Sequence, residues 1–567
     1  MYVSTFAEYA SRIEDVSENT TKTDILADAL AESPEEAGVA ALFFQGSIFS
    51  ETSQKKVSIG PSLARDVIAN VCGASPDRVK EVASEVGDTG AACSELGFGQ
   101  APLFAPKDDS PMTIGDIYET FEEIAEMSGS GVTNRKIEAL SNVLYALEDS
   151  PMMSSEEQAQ YIIRLVLDEM RIGVGEGTVR DAISQAFGVE VSLVQHALLL
   201  TADPMFVVDT IRRSGSEGLS DISLEVGRPV KAMLATKSTI EDAVEKNSTL
   251  VADWKYDGFR AQIHKDGETV RIFTRRLEDV TRQFPDVVSA IQEHIQADTC
   301  IVEGELVGYE PDTGDVVPFQ TTSKRIKRKH NIEEMVNEIP VNINLFEILF
   351  AEGESLIEKP LTERKDYLDE VCPHFAVDYW VTKSIDDLKE IEAQALAADH
   401  EGIMLKVPSS SYTPGNRGQN WLKIKPEVET LDLVVVGGEW GDGRRAAIEV
   451  ETDGGKTTEM RTIGTFLLAV RDENTDEFHT IGKVGTGLTD NQLVELTETL
   501  RPYITTDDGT ELSFSPKVVW EVGYEEIQAS PTYGSGYALR FPRYLGIRTE
   551  KPLSEVDSLQ RVTSLTE

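Results

Sequence analysis

The period of the apolar residues changes once along this chain, near residue 220. Before that point they recur every three or four positions, in Met1–Ile13, Asp24–Leu30, Ile117–Met127, Ile137–Leu147 and Gln158–Met170. That is the stripe of a helix with one buried face. Ser154, with Glu156 and Glu157 behind it, reads as a helix start, because a hydroxyl caps free amides and carboxylates favour the positive helix end. After that point apolar and polar residues alternate in short runs. Leu250–Tyr256, Phe259–His264 and Val270–Thr274 read as strands, with Asp257-Gly258 and Asp266-Gly267 as hairpin turns between them. The two periods belong to different elements, so the switch predicts a domain boundary. Val226-Gly227-Arg228-Pro229-Val230 is the expected entry to the second domain, and Gly87–Lys107 an expected loop in the first. Helices over Phe284–Gln296, Ile332–Asn337 and Ile385–Ala398, with buried strands over Cys300–Gly308 and Asn342–Phe350, make the second domain α+β. From Leu431 strands return, at Leu431–Gly437, Ala446–Glu451 and Val518–Tyr524, with one helix over Thr489–Thr499. Such a set suits a small barrel of the OB-fold kind. The expectation is a multidomain chain: all-α over 1–220, α+β over 221–430 and an OB-fold β-barrel over 431–567.

Charge narrows the setting. Of 567 residues, 53 are basic and 99 acidic, a net charge of −46. The acid is spread along the whole chain and lysine is scarce. At 1 M salt the Debye length is about 3 Å, so carboxylates hardly repel one another. Diffuse acid of this kind reads as adaptation to high salt, and local charge then says more about partners than net charge does. No apolar run approaches the ~18 residues of a spanning helix, and Met1–Glu18 lacks an apolar core for a signal peptide. Cys72, Cys93, Cys300 and Cys372 are far apart with no Cys-x-x-Cys. Neither a zinc module nor a disulfide framework is expected, which fits a reducing cytoplasm.

Several segments carry chemistry. Lys255-Tyr256-Asp257-Gly258 ends a strand, where a neutral amine could act as nucleophile; alone the tetrapeptide reads first as a plain hairpin turn. Val302-Glu303-Gly304-Glu305-Leu306 places two carboxylates on one strand face, either a solvated pair or a Mg2+ site beside phosphates. Glu401 precedes the apolar run ending at Lys406, and Trp421-Leu422-Lys423-Ile424-Lys425 points both lysines to one side. Lys324, Arg325, Lys327, Arg328 and Lys329 form the densest basic run, a solvated helix face or a grip on a phosphate backbone. Gly173-Val174-Gly175-Glu176-Gly177-Thr178 follows a helix rather than a strand, so it is not a dinucleotide loop. It is a tight interhelical turn or an amide pair for a nucleic-acid phosphate. Arg540, Arg543 and Arg548 form a late basic cluster, and no Walker-type loop occurs.

Taken in order, these segments resemble the covalent nucleotidyltransferases. Lys255-Tyr256-Asp257-Gly258-Phe259-Arg260, Phe273-Thr274-Arg275, Glu303-Gly304-Glu305, Phe346-Glu347, Glu401-Gly402, Lys423-Ile424-Lys425 and Arg540-Phe541-Pro542-Arg543 follow the family order. Order and spacing resemble an ATP-dependent DNA ligase of the archaeal and eukaryotic type, over nearly the whole chain. Glu225–Leu234 is similar to that family's entry to the adenylation domain, and Arg171–Thr178 to part of its helical DNA-binding domain. Asp253 stands where the family usually has Glu, and Glu303 and Glu347 where Asp is common. The acid excess is similar to that of haloarchaeal proteins.

The resemblance implies nick sealing in duplex DNA, in replication, repair and recombination. Lys255 attacks the α-phosphorus of ATP, AMP passes to the 5′-phosphate of the nick, and the 3′-hydroxyl expels it. It implies Mg2+ at Glu305 and Glu401, with Glu305 also able to accept from a ribose hydroxyl of ATP, and adenine between Phe346 and the amino-group acceptor Asp253. Arg260, Arg275 and Arg417 would hold ribose or phosphate oxygens, Lys423 and Lys425 the α-phosphate, and Arg540 and Arg543 the pyrophosphate. Lys324, Arg325, Lys327, Arg328, Lys329, Gly173 and Gly175 would meet DNA. Gln100–Phe104 is similar to a sliding-clamp peptide, or is an ordinary loop anchor. A monomer without membrane contact is expected. An RNA ligase, a capping guanylyltransferase or a non-catalytic nucleic-acid clamp are the competing readings.

Overall fold

The computed structural model describes residues 1–99, 111–317, 319–326, 328, 330–425, 429–441, 447–451, 457–485, 487–549 and 551–566. They form two compact units, Met1–Lys425 and Pro426–Glu567. Gln100–Phe104, Lys327 and Lys329 lie outside the described residues.

Among the described residues the first unit begins with helices and no strand, from Val3–Glu14 to Pro204–Ser220. Their apolar stripes meet in one core, in which Phe6, Phe43, Phe44 and Phe121 are wholly buried. Ser154 caps the helix Ser155–Val166 through the amide of Glu157, whose carboxylate accepts from the Ser154 amide in return. Gly87–Lys107, read as a loop, contains the short helix Ala92–Leu96. Among the described residues no helix is long and apolar enough to cross a membrane.

Ten strands follow among the described residues of the same unit. They are β1 (Leu234–Lys237), β2 (Leu250–Trp254), β3 (Phe259–Asp266), β4 (Thr269–Thr274) and β5 (Thr299–Gly308). The rest are β6 (Val341–Ala351), β7 (Glu354–Ser355), β8 (Trp380–Thr382), β9 (Ile403–Lys406) and β10 (Arg417–Ile424). They make two sheets, in the orders β1-β10-β9-β2-β8 and β4-β3-β5-β6-β7. The helix Pro285–His294 closes the core of the second sheet, and Ile385–Ala397 that of the first. One expectation is corrected here. Asp266-Gly267 does begin a hairpin turn, joining β3 to β4. Asp257-Gly258 does not, because β2 and β3 belong to different sheets. An Asp-Gly pair reports a tight reversal; which strand the chain then pairs with is set by distant neighbours. Lys255 therefore stands at the crossing between the sheets.

In the second unit the strands are β11 (Glu429–Trp440), β12 (Ala447–Glu451), β13 (Thr457–Arg461), β14 (Ile463–Arg471), β15 (Phe478–Val484) and β16 (Ile504–Asp507). After them come β17 (Glu511–Phe514), β18 (Val519–Tyr524), β19 (Glu526–Ala529), β20 (Tyr537–Arg540) and β21 (Arg543–Ile547). The main sheet runs β15-β14-β11-β17-β16. β18 takes the same edge of β11 as β17, farther back along the strand, and carries β21. Among the described strands no pairing closes this sheet into a ring. Alternation counts strands but does not say which edges meet. The helix Asp490–Leu500 covers it through Leu493, Leu496 and Leu500.

Candidate active site

Lys255 follows β2, and its amide donates to Gly402 O at 2.9 Å while its carbonyl accepts from the Glu401 amide at 2.9 Å. These two bonds fix Lys255 beside Glu401. The Lys255 ammonium forms an ion pair with Glu401 Oε2, and Lys425 Nζ reaches the same oxygen at 2.9 Å. Gly402 makes the approach possible. Its φ is +125°, and a Cβ there would stand 2.4 Å from Ile424 O. Gly258 does likewise across β5, where a Cβ would strike Leu306 O and Glu305 Cγ.

Opposite signs of charge meet in this cleft. Burial pushes Glu401 up, but Lys255 and Lys425 outweigh it and hold the carboxyl below its usual range. Burial pushes Glu305 up to about 8, helped by repulsion from Glu401 and Asp257 and opposed by Lys255 and Arg260. Glu305 is thus a carboxyl short of positive charge. Burial lowers Arg275, and mutual repulsion with Arg260, Arg417 and Arg276 lowers it further. Guanidiniums crowded in this way favour an anion among them. Among the described residues no three acidic, His or Cys side chains group as a metal site. Glu305 and Glu401 offer only two carboxylates, the hard oxygen donors that Mg2+ takes when phosphates and water complete its shell. The chemistry of these two donors fits that ion.

Beneath the cleft the expected residues divide. Glu303 is 1% exposed and accepts from Arg260 at 2.7 Å, Gln262 at 3.1 Å and Tyr412 at 2.8 Å. Arg260 also donates to Met233 O at 2.9 Å. Both terminal nitrogens of Arg260 thus carry a protein partner, while its Nε is buried without one. Its charge still reaches Glu305 above. Gln262 also accepts from the Val230 amide, and His264 from that of Gly227, so the entry segment is sewn to β3. Glu347 makes a two-point ion pair with Arg364 at 2.9 Å, both wholly buried; it is a core pair with no face on the cleft.

Asp253, 1% exposed, binds Lys406 Nζ at 2.6 Å and Lys365 Nζ at 3.2 Å through Oδ2, while Oδ1 is buried without a partner. Lys406 stands 5.0 Å above the Phe346 ring and 4.6 Å above that of Trp421. Burial pushes Lys406 down to about 8, against the pull of Asp253. Phe346 is half-buried and edge-on to Trp421. Lys406, Lys365, Tyr412 and Gln262 were not singled out by the sequence reading. A lysine closing an apolar strand was the one signal available for Lys406.

The nucleic-acid candidates also part company. Lys324 and Arg328 are exposed. Arg325 is 1% exposed, bound to both Asp286 oxygens, to Gln283 O and Ile339 O, and laid on Phe284 at 4.4 Å. It is a structural guanidinium, turned inward because an eight-residue helix must bury one face. Gly173, at φ +69°, packs against Lys22, whereas Gly175 caps the helix Glu176–Phe187 with open space beside it. In the second unit Arg540 pairs with Glu526 at 3.1 Å, Arg543 with Glu525 at 2.9 Å and Arg548 with Glu521 at 3.1 Å.

Comparison with known proteins decides the family. The family model of the ATP dependent DNA ligase domain matches residues 232–425, which hold every residue of the cleft. The DNA ligase N terminus matches residues 2–184, and the ATP dependent DNA ligase C terminal region residues 459–551. A DNA ligase of Natronomonas pharaonis is 41% identical over 99% of this chain and 100% of its own length. The chain belongs to the ATP-dependent DNA ligases. A DNA ligase of Thermococcus fumicolans is 39% identical over 100% of this chain and 98% of its own. The solved structure named Pmar-Lig_PreS3 shares the fold at a TM-score of 0.57, with 16% identity, over 96% of this chain and 99% of that one. As an ATP-dependent DNA ligase the chain is an enzyme.

Proposed function

We propose that this chain seals 5′-phosphate/3′-hydroxyl nicks in duplex DNA through a lysyl-AMP held at Lys255. The observation that carries the reading is the meeting of Lys255 and Lys425 on one Glu401 oxygen, within the electrostatic reach of Glu305. The Lys255 amine forms a P–N bond to the α-phosphorus of ATP, the bond to the β-phosphate breaks, and pyrophosphate leaves. Lys423 and Lys425 steady the α-phosphate, and Arg275 and Arg417 take ribose or phosphate oxygens. Adenine lies against Phe346, with its amino group toward the unpaired Oδ1 of Asp253. Glu305 and Glu401 would hold Mg2+, which neutralises phosphate charge when bound. AMP then passes to the 5′-phosphate, and attack by the 3′-hydroxyl releases it. Charge neutralisation and alignment are what such transfers need most.

In this reading 1–220 and the exposed Lys324 and Arg328 meet DNA phosphates, 221–430 performs adenylation, and 431–567 acts as the OB-type domain. Arg540 and Arg543 orient pyrophosphate. The enzyme works as a cytoplasmic monomer. The test is transfer of label from α-labelled ATP in multimolar KCl with Mg2+, read on a denaturing gel beside Lys255→Ala. A band in the wild type, absent from the variant and chased into nicked DNA, is the expected result. A folded wild type that takes no label would overturn the reading.

A further inference from the structure

Thr274–Val280, the turn after β4, presents Arg275 to the cleft. It holds Leu277 at φ +62° with its side chain 2% exposed, a conformation a branched residue keeps only when its surroundings impose it. Most of the turn's backbone is satisfied from within. The Thr274 hydroxyl accepts from the amides of Arg276 and Glu278, and the Thr274 amide donates to Glu278 O. Asp279 in turn fixes Thr281. Leu277 O and the Asp279 amide are met by one side chain more than two hundred residues earlier. Gln54 Nε2 donates to Leu277 O at 3.0 Å, and Gln54 Oε1 accepts from the Asp279 amide at 2.8 Å. The amide group acts as a short strand would, donating and accepting side by side. Lys56, two residues on, pairs with Glu278 in the same turn.

We infer that Gln54 is a positioning residue for adenylation: the helical part of the chain holds the Arg275 turn in register through this two-point amide bond. The inference rests on the reading of Arg275 as a contact to ATP. It makes the chemistry in the cleft depend on docking of the helices, since Gln54 lies in the segment between the helices Ala37–Gln45 and Pro61–Cys72. The dependence passes through one backbone turn, so it falls on nucleotide binding more than on Lys255.

The test is a double-mutant cycle on self-adenylation by the full chain in multimolar KCl. Gln54→Leu keeps the side-chain volume and removes both bonds. The expected result is a rise in KM for ATP of about fivefold or more, with the maximal rate changed less. Arg275→Ala raises KM as well, and Gln54→Leu adds nothing in its background. Gln54→Glu keeps the acceptor for Asp279 and falls between wild type and Gln54→Leu. A Gln54→Leu KM equal to that of the wild type, or a full additive effect on top of Arg275→Ala, overturns the inference and leaves Lys255 chemistry standing. A KM unmoved by Arg275→Ala overturns the assignment of Arg275, and the inference with it. Circular dichroism and melting temperature in the same salt show that the variants are folded, and a Gln54→Leu chain that fails this is replaced in the cycle by Gln54→Glu.

Discussion

A lysine can be buried only if its charge is paired or its proton is released. Lys406 does some of both, between Asp253 at 2.6 Å and the Phe346 and Trp421 rings. Its folded value of about 8 lies below the ordinary 10.5. Between these values the unfolded chain binds the proton and the folded chain does not, so this group makes stability rise with pH from about 8 to 10.5. The difference in melting temperature between wild type and Lys406→Met, followed from pH 7.5 to 10, is expected to widen in favour of the wild type. Lys406→Met also strips a buried carboxylate of its closest partner, which costs about 3–5 kcal/mol at neutral pH. The same reasoning applies to Arg364→Met, which leaves Glu347 buried and unpaired; chemical denaturation is expected to show a loss of similar size. Glu303, Glu347 and Arg260 were all legible as charged residues in the sequence. That Glu303 and Glu347 are buried with guanidinium partners was not, because strand alternation gives a face and not a depth.

Elements place these residues by how closely their backbones approach. β9, β10 and the Lys255 turn converge at Gly402, where no Cβ fits against Ile424 O. Gly402→Ala is expected to lower self-adenylation more than tenfold, because about 1 Å of displacement at Glu401 moves both lysines that it holds. A label-transfer time course with Lys255→Ala as baseline measures this, and activity within twofold of wild type would refute it. The helix and strand assignments were mostly legible, from Ser154 at a helix start to the buried β5 and β6. The Asp257-Gly258 turn was not. Its local chemistry is that of a hairpin, and β8 and β9, arriving from more than a hundred residues away, take β2 into the other sheet.

At the scale of the molecule the first unit is held by charge as well as by its cores. Lys231 bonds Glu51 at 3.0 Å and Glu176 at 2.8 Å, tying the entry segment to two places on the helical bundle. Lys231→Met is expected to speed proteolysis between the helices and β1 without altering helix content, measured by limited digestion and circular dichroism in high KCl. The net charge of −46 predicts a melting temperature that climbs as KCl is raised from 0.1 M, where the Debye length is about 10 Å, to molar levels. A flat dependence would contradict the high-salt reading. The family, the order of the motifs and the acid excess were readable along the chain, because each of these is written in local residue identity, spacing or total charge. Packing settled that Arg325 is buried against Asp286 and Phe284, that β2 and β3 part into different sheets, and that Gln54 reaches the Arg275 turn. Those outcomes depend on which surfaces meet across hundreds of residues, and burial and pairing are properties of the meeting, not of either segment alone.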